Sequence, residues 1–118
     1  MISSKINNNF KFKNVNIKND FKEIKNKFFE NLGKKISKNF YVWRYSNKNQ
    51  LLCYIVKKKK TIIGHVGFIK YKTHSGHYFV SRHSSFVDKF YRRKNLYTQL
   101  IKDCLIKLKK KNILFVLI

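Results

Sequence analysis

Residues 87–100, VDKFYRRKNLYTQL, carry an apolar residue into a tight basic run and from there straight into apolar residues at helical spacing. Val87 closes the run HYFVSRHSSFV (77–87), which reads as a strand. Beyond Arg92, Arg93 and Lys94, the residues Leu96, Leu100, Ile101, Cys104, Leu105 and Leu108 form one apolar stripe, so the spacing predicts an amphipathic helix. Its last turn, KLKKK, is cationic and suits the C-terminal end of a helix dipole. NILFVLI (112–118) follows as an apolar strand. Strand, helix and strand in that order make a parallel crossover. A strand running directly into a helix start aims unpaired backbone N–H groups at the join, which suits an anion. Arg92, Arg93 and Lys94 would add charge-assisted hydrogen bonds to it. The plainer alternative is a solvated turn in a lysine-rich chain.

Outward from that join, TIIGHVGFIKYKT (61–73) is apolar on both faces in its middle, as a central strand is. LLCYIVKK (51–58) reads as another strand, with a lysine turn after it, and Ser75-Gly76 marks a hairpin. FKFKNVNI (10–17) alternates apolar and polar residues as a first strand. NDFKEIKNKFFENLGKK (19–35) carries Phe21, Ile24, Phe28 and Leu32 at helical spacing. Asp20 and Glu23 resemble a capping box there, and Gly33 a stop. SKNFYVWRYSN (37–47) reads equally as a short helix or a turn ending near Asn47. The first nine residues are polar and expected to fray. The expected fold is one α/β (α+β) domain over residues 10–118, a mixed central sheet flanked by helices and ending on its fifth strand.

The chain has 118 residues, with 28 Lys and Arg against 5 Asp and Glu, a net charge of +23. Such an excess points to nucleic acid or another polyanion. Lys, Asn, Ile, Phe and Tyr are inflated together, however, while Pro is absent and Gly occurs four times. An A- and T-rich coding bias produces that same pattern without any polyanion. Cys53 and Cys104 sit in apolar runs and read as buried free thiols. His65, His74 and His77 lack metal-ligand spacing with any Cys or acid, so no metal is expected. The start, MISSKINNNF, lacks the apolar core of a signal peptide, and ILFVLI is too short to span a bilayer. The expected location is cytoplasmic.

FVDKFYRRKNLYTQL resembles the coenzyme A-binding segment of the GNAT superfamily of N-acyltransferases. In that family an apolar strand residue is followed, five residues on, by an Arg or Gln that opens R/Q-x-x-G-x-G/A, and then by an aliphatic helix. Val87 precedes Arg92 by that spacing, residues 92–97 occupy the pattern, and Leu100 falls at the helix's first buried leucine. FYVWRYSNKN and the hairpin around TIIGHVGFI extend the resemblance over residues 40–118. The resemblance implies acetyl-CoA, or another acyl-CoA, as cosubstrate and an amine as acyl acceptor. By it, the backbone of Arg93, Lys94, Asn95, Leu96 and Tyr97, opened by Arg92, would bind the pyrophosphate. Ser85, Phe86 and Val87 would pair with the pantetheine amides. The thioester would lie between two splayed strands, the one ending at Val87 and the closing ILFVLI. Asn95 and Tyr97 stand in place of the two motif glycines. Asn tolerates a left-handed backbone, and the Tyr97 ring must point away from the pyrophosphate. Family members usually continue with a further helix and two strands. Relative to them the chain is expected to be truncated, and a homo- or hetero-oligomer would cover its last strand edge.

His83, Ser84 and Ser85 lie beside the implied thioester and could relay a proton, although ordinary strand residues look the same. Asp88 is the one acid near the site and is expected to pair with a Lys or Arg. Trp43 and Tyr45 could line an acceptor pocket or belong to the core. The sequence assigns no general base. The competing function is a small basic binding protein for nucleic acid or another polyanion, without catalysis.

Overall fold

A computed structural model describes residues 10–47, 50–92, 95–110, 113 and 115–117. β1 (Phe10–Asn14) leads into α1 (Ile17–Leu32), and α2 (Lys38–Tyr45) follows. A two-residue ladder joins β2 (Ser46–Asn47) to β3 (Gln50–Leu51). Then come β4 (Cys53–Lys58), β5 (Thr61–Lys72), β6 (Tyr78–Val87), a short 3-10 turn at Lys89–Tyr91, α3 (Leu96–Lys110) and β7 (Phe115–Leu117). The main sheet has the order β1-β4-β5-β6-β7. Each neighbouring pair among its first four strands is antiparallel, and β7 runs parallel to β6 across the α3 crossover. This is the mixed sheet flanked by helices that the sequence predicts.

Several boundaries differ from the sequence reading: Leu51 pairs in β3 rather than opening β4, which starts at Cys53, and the last strand is described only over Phe115–Leu117. The first strand ends at Asn14 rather than Ile17, because Asn16 caps α1 and its side chain accepts from the Asn19 N–H. Asp20 and Glu23 therefore do not form the expected capping box. Asp20 reaches back to accept the Asn16 N–H at 2.8 Å, and Glu23 accepts the Ile62 N–H of β5 at 2.8 Å. Gly33 does end α1, in a left-handed conformation with φ 67°. The ambiguous aromatic segment is a helix, because the Ser37 hydroxyl accepts the Phe40 N–H and caps α2.

The sheet separates two apolar layers. On one side Leu52, Tyr54, Val56, Ile63, Val66, Phe68 and Val80 pack against Leu96, Leu100, Cys104 and Leu108 of α3. On the other, Cys53, Ile55, Ile62 and Phe86 pack against Ile24 and Phe28 of α1 and Tyr41 and Tyr45 of α2. β4 alternates between the two layers and is buried on both, as a central strand must be. Among the described residues no helix is long and apolar enough to cross a membrane.

Candidate active site

The register of β5 against β6 slips between His65 and Gly67, so Gly64 opposes Val87 while Gly67 opposes His83. The slip is a bulge at Ser84, whose φ of 52° lies in the left-handed region. A bulge changes which face the side chains take. Before it, Val80 and the Arg82 guanidinium, 5.3 Å from the Tyr97 ring, face α3. After it, Ser85 faces α3 and meets the Tyr97 hydroxyl, whereas Phe86 packs with α1 and α2. Ser84 itself faces α2, where its hydroxyl accepts from Tyr45 at 2.6 Å.

Left-handed serine is disfavoured, so the bulge must be held by its surroundings. The holding is done by His65. Its Nδ1 lies 2.8 Å from the Ser84 carbonyl oxygen, which can only accept, so Nδ1 carries the proton. Nε2 then accepts from the Tyr41 hydroxyl at 2.7 Å. The Tyr41 oxygen in turn takes the Cys53 S–H. His65 is fully buried, with Phe86 stacked at 5.7 Å and Phe28 edge-on at 4.9 Å. Burial holds its pKa down to about 4, only partly offset by the Ser84 carbonyl. Burial also pushes the Tyr45 hydroxyl and the Cys53 thiol up, so the whole network is uncharged at neutral pH. Gly67 completes the clamp: a Cβ there would lie 2.6 Å from the Tyr45 ring.

Beyond the bulge, β6 reaches the loop before α3. Asn95 adopts φ 58°, the left-handed backbone expected of it, and its carbonyl accepts the Gln99 N–H of the first helical turn. The Tyr97 side chain folds back onto β6, its hydroxyl donating to Ser85 Oγ at 3.2 Å. Arg92 spans the loop, its Nε donating to the Val87 carbonyl at 2.8 Å. Asp88 bonds Lys27 and Asn31 of α1, as the expectation of a basic partner required, and this latches α1 to the loop. Burial alone would lower Lys27, but the Asp88 carboxylate more than offsets it and raises its pKa. Arg93 and Lys94 lie outside the described residues.

Two adjoining recesses follow this path. One of about 230 Å³ lies at the start of α3 against Val87, Tyr91, Arg92 and Asn95. The other, of about 350 Å³, runs along Ser85, Phe86 and Val87 to Asn31 and Leu32. The described β6–β7 ladder covers only Phe79–Ser81 against Phe115–Leu117. From Arg82 to Val87, β6 therefore has no described strand partner on that side, and the recess along Ser85–Val87 lies there as a groove between the end of α1 and the start of α3. A larger recess of about 640 Å³, against Lys25, Phe29 and Ile36, shares no residue with this groove.

The model of the acetyltransferase (GNAT) family matches residues 17–117. The chain belongs to this family. Solved structures agree on its fold. An aminoglycoside acetyltransferase from an uncultured soil metagenomic sample, in complex with trehalose, is 16% identical with a TM-score of 0.77, over 95% of this chain and 78% of that one. Glucosamine-6-phosphate N-acetyltransferase from Arabidopsis thaliana is 16% identical with a TM-score of 0.68, over 92% of this chain and 80% of that one. An Arabidopsis thaliana protein in complex with the bisubstrate analogue CoA-Ac-MVNAL is 13% identical with a TM-score of 0.71, over 92% of this chain and 70% of that one. A search of curated protein sequences finds no match.

Of the residues singled out by sequence, Ser85, Phe86, Val87, Arg92, Asn95, Leu96 and Tyr97 all line the two recesses. Tyr45 is a buried support of the bulge, while Trp43 is 74% exposed and so is not a core aromatic. Sequence reading missed the roles of His65, Tyr41 and Gly67 beneath the bulge, and of Lys27 and Asn31 beneath the loop. The two glycines of GHVG inside a central strand were the available signal, since an interior strand glycine marks a bulge or a close approach.

Proposed function

We propose that the chain is an acetyl-CoA-dependent N-acetyltransferase that binds its cosubstrate in the groove along β6 beyond its pairing with β7. The pyrophosphate sits at the start of α3, over Asn95, Leu96 and Tyr97, where a helix start supplies N–H donors and a partial positive charge. The pantetheine arm lies along Ser85, Phe86 and Val87 and pairs with β6 as an added strand would. The thioester reaches the Ser84 bulge. The observation that carries this reading is a stretch of β6, beyond its bulge, with no described strand partner on one side and leading directly to a helix preceded by the left-handed Asn95. Catalysis consists of holding the acceptor amine against the thioester carbonyl.

The test is calorimetric titration with acetyl-CoA at near-physiological salt, with ATP as a charge-matched control. The expected result is one-site binding selective for acetyl-CoA and lost in Arg92→Glu. Equal binding of acetyl-CoA and ATP, both fading as salt rises, would refute the reading and favour a polyanion binder.

A further inference from the structure

We propose that His83 is the catalytic residue that takes the proton from the acceptor amine. The inference rests on the reading that places the thioester at the Ser84 bulge. The bulge turns two consecutive side chains, His83 and Ser84, toward the α1 and α2 face instead of alternating them. His83 Nε2 is shielded from solvent and has no hydrogen-bond partner among the described residues. A buried imidazole nitrogen left without a partner is costly in a folded protein unless a ligand supplies one.

Elimination among the described residues points the same way. The five acids are all held elsewhere: Asp20 by Lys57, Glu23 by the Ile62 N–H, Glu30 and Asp88 by Lys27, and Asp103 by Lys107. Both nitrogens of His65 are bonded. The Tyr45 hydroxyl is committed to Ser84 and the Tyr97 hydroxyl to Ser85. His83 is the remaining neutral base beside the bulge. Desolvation, then the charges of Arg44 from α2 and Lys34 from the loop before it, lower its pKa. Gly67, opposite it on β5, brings no charge. The ring is therefore neutral at pH 7 and ready to accept a proton, and the same two cations favour the neutral amine over its ammonium form.

In the step, the amine nitrogen forms a bond to the thioester carbonyl carbon and gives its proton to His83. The C–S bond breaks and coenzyme A leaves as thiolate. The imidazolium returns the proton to that sulfur, so amine and acetyl-CoA become amide and free thiol.

The experiment follows thiol release from acetyl-CoA between pH 4.5 and 9, with water and with ethanolamine as probe nucleophiles. Wild type and His83→Ala are compared, and acetyl-CoA affinity is measured on both by calorimetry. The expected result is unchanged affinity, release slowed about 100-fold in the variant, and loss of the acidic limb of the pH profile. Added imidazole should restore release in proportion to its concentration. His83→Asn, checked by circular dichroism, guards against a folding defect in the alanine variant. Equal release by wild type and variants, including none from either, overturns the proposal. Failure of the wild type to bind acetyl-CoA would instead overturn the cosubstrate reading beneath it.

Discussion

Replacing His65 with Phe removes a single titrating group from beneath the bulge. The ring fits the same aromatic surroundings, between Phe28 and Phe86. The unfolded chain takes up a proton on His65 as pH falls below 6.5, while the native ring stays neutral down to about 4. The unfolded state binds more protons throughout that window, so native stability falls as pH falls. Its contribution is complete above the unfolded value and lost progressively toward the folded one. At 1.36 kcal/mol per pH unit the whole window is worth about 3 kcal/mol, and about 2 kcal/mol is lost by pH 5. The variant has no such term. It loses the bonds to the Ser84 carbonyl and the Tyr41 hydroxyl, each worth roughly 1–3 kcal/mol when its partner is stranded. His65→Phe should therefore be less stable than wild type at pH 7.5, with the gap narrowing by about 2 kcal/mol at pH 5. Urea unfolding followed by circular dichroism at both pH values measures it. The carboxylates and the other three histidines are common to both proteins and cancel in the difference. A gap that does not change with pH would refute the buried neutral imidazole.

Gly67→Ala places a methyl group 2.6 Å from the Tyr45 ring and should cost roughly 1–3 kcal/mol in urea unfolding. An unchanged midpoint would mean that Tyr45 does not press on this strand. Asp20→Asn, at a carboxylate 1% exposed and 2.9 Å from Lys57, should lower stability by roughly 3 kcal/mol because it strands a half-buried ammonium. Little loss would show that Lys57 swings free to solvent. Asn95→Gly should leave stability unchanged or slightly raised, whereas Asn95→Val, forced to the same positive φ, should lose roughly 1–2 kcal/mol and weaken acetyl-CoA binding in calorimetry. Equal behaviour of the two would show that the loop does not need its left-handed residue.

The crossover and the helix start before it were legible because both are local. Leu96, Leu100, Cys104 and Leu108 declare the helix by spacing alone, and all four are buried under the sheet. Asn95 announces its own backbone, since few residues tolerate that conformation. What lies beneath the bulge was not legible, for two reasons. Period-two reading of HYFVSRHSSFV assumes that alternation never breaks, and a bulge breaks it without any residue that requires it. The groups that hold the bulge also come from far along the chain: Tyr45 is 39 residues from Ser84, and His65 is 19. The same holds for Lys27 and Asn31, which reach Asp88 across 61 and 57 residues.

The charge excess looks different once the five acids are placed. Asp20 ties the start of α1 to β4, Glu23 ties α1 to β5, and Asp88 ties the loop to α1. Each of these carboxylates joins two elements and is satisfied by an N–H or an ammonium group. Glu30 and Asp103 pair within a helix, with Lys27 and Lys107. Acidic side chains thus serve the scaffold, and little negative charge is left to balance the lysines outside. A net charge of +23 raises the attraction for any polyanion, and by itself it singles out no one face of the molecule. The net charge alone therefore does not mark a nucleic-acid site. What distinguishes the β6 groove from the rest of this surface is backbone geometry: a bulge at Ser84, a strand edge without a described partner and a left-handed residue before the helix. Binding at the groove should depend on ligand shape and withstand moderate salt, whereas binding elsewhere on the surface should collapse with it.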